Sequence, residues 1–180
     1  MRYDKLLAET YLSLAQDFNV EITDSVRSDA EKFGNGIEQW PAFQDTVDAM
    51  KRLGKYYKLV PLSNVDKASF TRTLKGPLAG IPFWRVYVAE EIGSYKPDLR
   101  NFHYLIEHVD EDAKSEGEKD GVKKEQILHV AQSLKHDHVP AKKMGMTSAW
   151  VGSFIKPTFT NVMDSASKTA RSENSPCVTR

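Results

Sequence analysis

The groups best suited to chemistry in this 180-residue chain stand in three polar clusters, each following an apolar run. Tyr57-Lys58-Leu59-Val60-Pro61-Leu62 runs into Ser63-Asn64-Val65-Asp66. Val86-Tyr87-Val88-Ala89 runs into Glu90-Glu91 and then Gly93-Ser94-Tyr95-Lys96-Pro97-Asp98. Ile127-Leu128-His129-Val130-Ala131 runs into Gln132-Ser133-Leu134-Lys135-His136-Asp137. In open α/β sheets, ligands occupy the crevice beyond the carboxyl ends of the strands. Such ends would gather a hydroxyl–amide pair, a lysine and a carboxylate at one site. Ser63 and Asn64 can grip a carboxylate or phosphate oxygen. Lys96 can neutralise an anion or hold a catalytic carboxylate ionised. Asp137 can orient Lys96 or position a water. No run ends in a usable nucleophile.

Each residue also has a plain structural use. Ser and Asn favour turns, a lysine before Pro97-Asp98 suits a helix start, and Asp137 can cap a helix over 138–144. His129 and His136-Asp137-His138 invite a metal reading. Yet alternate histidines on a turn point apart, and no cysteine or further histidine completes the three or four ligands zinc needs. Glu90-Glu91 could meet Mg²⁺ or form a solvated pair at a strand end. No cofactor and no metal is expected. Trp40, Trp84 and Trp150 read as core or hinge packing, with Trp40 able to line a small apolar pocket between domains.

The elements that would position these groups are legible in the periodicity. Tyr3, Leu6, Leu7, Tyr11, Leu14 and Phe18 make one apolar helical stripe. A second helix starts at Asp24 as its cap and ends at Gly34 and Gly36. Trp40-Pro41 reads as a hinge, since proline biases the preceding residue away from helix. Beyond it, Phe43, Val47, Met50 and Leu53 form a helix closed by Gly54. Strands over 57–62, 85–89, 126–131 and 148–151 then alternate with helices, one of them opening at Pro97-Asp98. The charged stretch 110–124 reads as a solvated loop. Strand–helix alternation implies a parallel sheet flanked by helices, its strands apolar on both faces. The domains are a helical cap (1–40), an α/β core (41–155) and a polar tail (156–180) expected to be disordered.

Bulk properties exclude several classes of partner. Lys+Arg and Asp+Glu each number 25, so no net field recruits nucleic acid or an acidic membrane surface. The apolar runs are too short to span a bilayer. The single cysteine, Cys177, cannot form an internal disulfide, which suits a reducing compartment. A cytoplasmic, soluble protein is the expectation.

Taken together, the three clusters resemble motifs two, three and four of the haloacid dehalogenase superfamily, in its type II 2-haloacid dehalogenase-like branch. The stretch Val139-Pro140-Ala141-Lys142-Lys143-Met144-Gly145-Met146 leading to Trp150, and the helical segment before the core, fit as well. The resemblance covers roughly residues 3 to 152. It implies a Rossmann-like core with a cap inserted after the first strand. The reaction implied is displacement of halide from a 2-haloacid through an aspartyl ester that water then hydrolyses. By position, Ser63 and Asn64 would bind the substrate carboxylate; Trp40, through its apolar pocket, is the third substrate-binding candidate. Lys96 would stabilise the nucleophilic aspartate, and Asp137 would hold Lys96 or the water. Gln132 stands where superfamily phosphatases place a magnesium-binding aspartate, and an amide replaces that charge poorly on a hard cation.

The chain departs from the family pattern at its start, which falls inside the cap. The resemblance therefore implies a chain without the first strand, its nucleophilic aspartate and a substrate-holding arginine, either truncated or a remnant that has lost them, and so inactive as it stands. That strand would lie mid-sheet, between those at 126–131 and 57–62. Its two neighbours would close on each other, accept another chain, as in a homodimer, or leave the fragment unstable. Three functions stay open: a dehalogenase-like hydrolase acting on a small anionic carboxylate, a non-catalytic binding remnant of the same fold, and a magnesium phosphatase, which Gln132 weakens.

Overall fold

The computed structural model describes residues 2–152, so the tail expected over 156–180 lies outside the described residues. In chain order the elements are α1 (Tyr3–Asp17), α2 (Asp24–Asn35), a 3-10 turn (Gly36–Gln39), α3 (Thr46–Leu53), β1 (Leu62–Ser63), α4 (Lys67–Lys75) and β2 (Tyr87–Val88). There follow α5 (Ala89–Ile92), α6 (Arg100–Ser115), a second 3-10 turn (Lys124–Gln126), β3 (Leu128–Ala131), a π turn (Leu134–His138), α7 (Val139–Lys143) and β4 (Thr147–Trp150). The class is α/β, with parallel strands among helices, as the alternation implied.

The described strands form two parallel pairs rather than one sheet. β1 pairs with β2, Leu62 opposite Tyr87 and Ser63 opposite Val88, with a lone bridge from Leu59 to Phe83 upstream. β3 pairs with β4 from Leu128–Thr147 to Ala131–Trp150. The strand expected over 57–62 is mostly irregular. Pro61 has no N–H to give to a ladder, and regular pairing starts only at Leu62. The core built on α6 gathers Tyr87 of β2 with Phe102, Leu105, Val109, Ala141 and Met146, Leu62 and Ile127 packing against them, and His129 of β3 meets the Phe102 ring. β1 and β3 therefore share a supporting helix without bonding to each other. Their edges do not close on one another. Nor does β3 show the two-faced burial expected of it. Leu128 and Val130 are 55% and 54% exposed, while His129 between them is buried.

Side-chain size, not hydropathy, decides how the first two helices meet. Of the apolar stripe on α1, Tyr3, Leu7 and Tyr11 are half-buried and Leu6, Leu14 and Phe18 exposed, while Asp4 and Ala8 are buried. On α2 the buried residues are Ala30 and Gly34. A Cβ on Gly34 would lie 2.2 Å from the Asp4 carbonyl oxygen and 3.3 Å from the Ala8 Cβ. Only small residues allow that approach. Tyr11 and Phe33 add a ring contact at 5.7 Å. The cap of α2 is Thr23, which accepts from the Val26 N–H at 3.4 Å; Asp24, expected there, is the first helical residue.

Gly54 closes α3 as expected, though not for the reason a terminal glycine suggests. Its φ of −62° is right-handed, but a Cβ there would sit 2.4 Å from Pro82 Cγ. Gly54→Ala is expected to destabilise the fold by about 1–3 kcal/mol, read from the shift in denaturant midpoint.

The helix expected to open at Pro97-Asp98 begins at Arg100, whose N–H is accepted by the Asp98 side chain at 2.9 Å. It then runs to Ser115, so the first part of the supposed loop over 110–124 is helical. Val109 and Ala113 turn inward, while Lys114 pairs with Asp110 at 2.6 Å on the outside. Charge there marks a solvated helix face, at the i,i+4 spacing that supports one.

One carboxylate ties the helical pair to the rest. Asp66 caps α4 by accepting from the Ser69 N–H at 2.8 Å and its hydroxyl at 2.7 Å. It also accepts the Tyr3 N–H, 2.7 Å away at the start of α1. Nearby, buried Asp4 is ion-paired with Arg2 and lies 3.7 Å from Arg72.

Candidate functional site

β1 ends at half-buried Ser63, and Asn64 follows it into the loop. The Asn64 amide clasps the Lys96 backbone at two points. Its Nδ2 donates to the Lys96 carbonyl at 2.9 Å, and its Oδ1 accepts the Lys96 N–H at 2.7 Å. One amide hydrogen of Asn64 stays available to a ligand oxygen. The loop is held from beneath as well. Asn101, fully buried on α6, donates to the Ser94 hydroxyl and the Asp98 carbonyl, both at 3.1 Å.

Thus anchored, Lys96 sends its Nζ to Asp137 Oδ1 at 2.7 Å, with the two side chains only 13% and 8% exposed. Asp137 does not cap the following helix, as had been expected. It lies inside the π turn, whose cap is Ser133, accepting from the His136 N–H at 3.1 Å. Single π turns recur at functional sites because they re-aim a side chain without breaking the helix. Here the re-aimed carboxylate meets Lys96. It also meets His129 Nε2, at 3.1 Å from the same Oδ1. Burial pushes the Asp137 carboxyl up, but hydrogen bonds from His129 and Lys96 outweigh it, and the group is held below the usual carboxylate range. It is ionised at neutral pH.

The other candidates fall elsewhere. Among the described residues, no hydrogen bond or ring contact joins Trp40 to this cluster; it is half-exposed, near Gly36. Glu90 accepts the Lys67 N–H at 2.9 Å and Glu91 pairs with the Lys67 ammonium at 2.8 Å, so both serve the start of α4. Trp84 donates to Glu116 with Lys58 over its ring, and Trp150 donates to the Gln132 carbonyl at 2.9 Å. His138 reaches the Ala131 carbonyl and the Ser148 hydroxyl, while His136 meets Ser133. Sequence reasoning weighed His129 only as a metal ligand and passed over Asn101. A polar residue inside an otherwise apolar run was the available signal for the first.

The donor set suits an anion better than a hard cation. Asp137 is already shared by Lys96 and His129, and Gln132 offers only an amide. Among the described residues, no group of three or more His, Cys, Asp or Glu is arranged to hold a metal.

No protein-family model and no curated protein matches the chain. Solved structures do. The L-2-haloacid dehalogenase from Xanthobacter autotrophicus superposes with a TM-score of 0.68 at 15% identity, over 98% of this chain and 63% of that one. This is the haloacid dehalogenase-like fold. The same fold relates the chain to a putative HAD-hydrolase, YfnB, from Bacillus subtilis, solved bound to magnesium (TM-score 0.65, 18% identity, 87% and 65% covered). A HAD phosphatase from Thermococcus onnurineus is more distant (TM-score 0.53, 21% identity, 83% and 62% covered). The chain spans about three-fifths of the length of these haloacid dehalogenase-like neighbours. No helix among the described residues is long and apolar enough to cross a membrane.

Proposed function

We propose that this chain is the cap and most of the core of a haloacid dehalogenase-like hydrolase acting on a small anionic substrate, a 2-haloacid-like carboxylate. The observation that carries this reading is the buried Lys96–Asp137 pair, with Asn64 clasping the Lys96 backbone beside the end of β1. A cation fixed so rigidly near strand ends is pre-organised to stabilise negative charge without rearranging during reaction. In this reading Ser63 and the free hydrogen of Asn64 hold the substrate carboxylate. The nucleophile is an aspartate on a further strand lying between β1 and β3.

Its carboxylate oxygen attacks C2 as the halide leaves with the bonding pair. Water then adds to the ester carbonyl, loses a proton, and releases the 2-hydroxyacid with the aspartate regenerated. Lys96 keeps that aspartate ionised, and Asp137 keeps Lys96 in place. The metal-independent reaction is favoured over phosphate hydrolysis because Gln132 replaces a carboxylate with an amide.

The test is to join to the amino end a strand ending in Asp-x-x-x-Thr and measure halide release from 2-chloropropionate, with p-nitrophenyl phosphate hydrolysis followed in parallel with and without Mg²⁺. Halide release that is lost in Lys96→Ala is the expected result. Magnesium-dependent phosphate release would transfer the assignment to a phosphatase. No turnover of either, from a folded protein, would favour a non-catalytic binding module.

A further inference from the structure

β3 spends its one buried position on a histidine. Leu128 and Val130 face outward and His129 faces in, the reverse of what burial free energy alone would select. The ring meets Phe102, a fully buried residue of α6, edge-on at 5.3 Å between centroids. A phenylalanine or leucine would fill that space without the cost of a buried polar group, so packing alone does not account for the histidine.

Hydrogen bonding does. His129 Nε2 lies 3.1 Å from Asp137 Oδ1, the oxygen that Lys96 Nζ binds at 2.7 Å. An ionised carboxylate only accepts, so the proton of this contact sits on Nε2 and His129 is the donor. Both donors fall on Oδ1, and among the described residues none is directed at Oδ2. The neighbouring His138 ring, 6.4 Å away, does not compete, because its nitrogens are turned to Ala131 and Ser148.

We infer that His129 is a positioning residue of the site: by donating Nε2–H to Asp137 Oδ1, it fixes the carboxylate so that Lys96 is held through that oxygen and Oδ2 is presented to a water or ligand. This rests on the functional reading above and deepens it, adding a strand residue to the machinery. Without the histidine the carboxylate keeps one directional donor and is free to rotate about its Cβ–Cγ bond. Oδ1 and Oδ2 then exchange roles, and the geometry of the lysine is lost with them. The arrangement is a three-member relay of histidine, carboxylate and lysine, built from β3, the π turn and the loop after α5.

The test needs no turnover and uses the 180-residue chain as it stands. Asp137 is followed by carboxylate ¹³C NMR as a function of pH, and Lys96 by its side-chain ammonium signal, which is visible when the group is buried and bonded. His129→Phe keeps the ring against Phe102 and removes the donor. His129→Gln keeps a donor at the reach of Nε2, whereas His129→Asn is too short.

The expected result is that the Asp137 titration midpoint rises and the Lys96 ammonium signal is lost in H129F and H129N, with both restored in H129Q. Unchanged Asp137 and Lys96 signals in H129F would overturn the proposal and leave His129 a packing residue. Should H129F fail to fold, the comparison of H129Q with H129N decides in the same way. Absence of halide release from an extended protein would remove the hydrolase reading and leave the relay standing, so the two failures are distinguishable.

Discussion

Lys96→Met is expected to destabilise the chain by about 3–5 kcal/mol, the usual cost of leaving one member of a buried ion pair uncompensated. The side chains of Lys96 and Asp137 are nearly out of water, and the lysine backbone is already fixed by Asn64. The charge left on Asp137 would retain only the His129 donor. Urea denaturation at pH 7 reads the effect directly, and the double variant K96M/D137N should lose clearly less than the two single losses combined, because the two residues share one interaction.

The pH dependence carries the sign. Folding lowers the Asp137 carboxyl, so its contribution is complete above the unfolded value of about 3.9 and disappears as pH falls through the folded value. K96M should flatten that acid limb of the stability curve. An acid limb unchanged in the variant would show that the pair contributes little.

Gly34→Ala is the second large effect. The new methyl would stand 2.2 Å from a backbone oxygen on α1, a distance no rotamer change can relieve. The helices must separate, with an expected cost of about 3 kcal/mol. Amide hydrogen exchange should localise the damage to α1 and α2, leaving α6 and β3 protected. Equal loss of protection throughout would mean that the helical pair and the rest open as one unit.

These two positions show what could and could not be read from residue order. The meeting of Lys96 and Asp137 was legible because polar residues that follow apolar strands of an α/β fold gather at the strands' carboxyl ends. The π turn was not, since its effect on Asp137 depends on five residues bonding one step wider than a helix, and composition does not encode that step. Gly34 read as a terminator, yet it sits within α2, because the demand for a bare Cα comes from a carbonyl thirty residues away. Charge misled in the other direction over 110–115, where it marked the outer face of α6 rather than a loop. His129 was visible, but only a metal role was weighed for it and set aside, and its contact with the Asp137 carboxylate was not read.

Asp66 gives the molecule a shared fastening. A single side chain terminates two helices that are more than sixty residues apart in the chain, so neither start can fray without exposing the other. Helix ends are ordinarily the softest points of a fold, and here two of them are made to stand or fall together. Any swing of the leading hairpin away from α4 must surrender that bond together with the nearby Asp4–Arg72 pair.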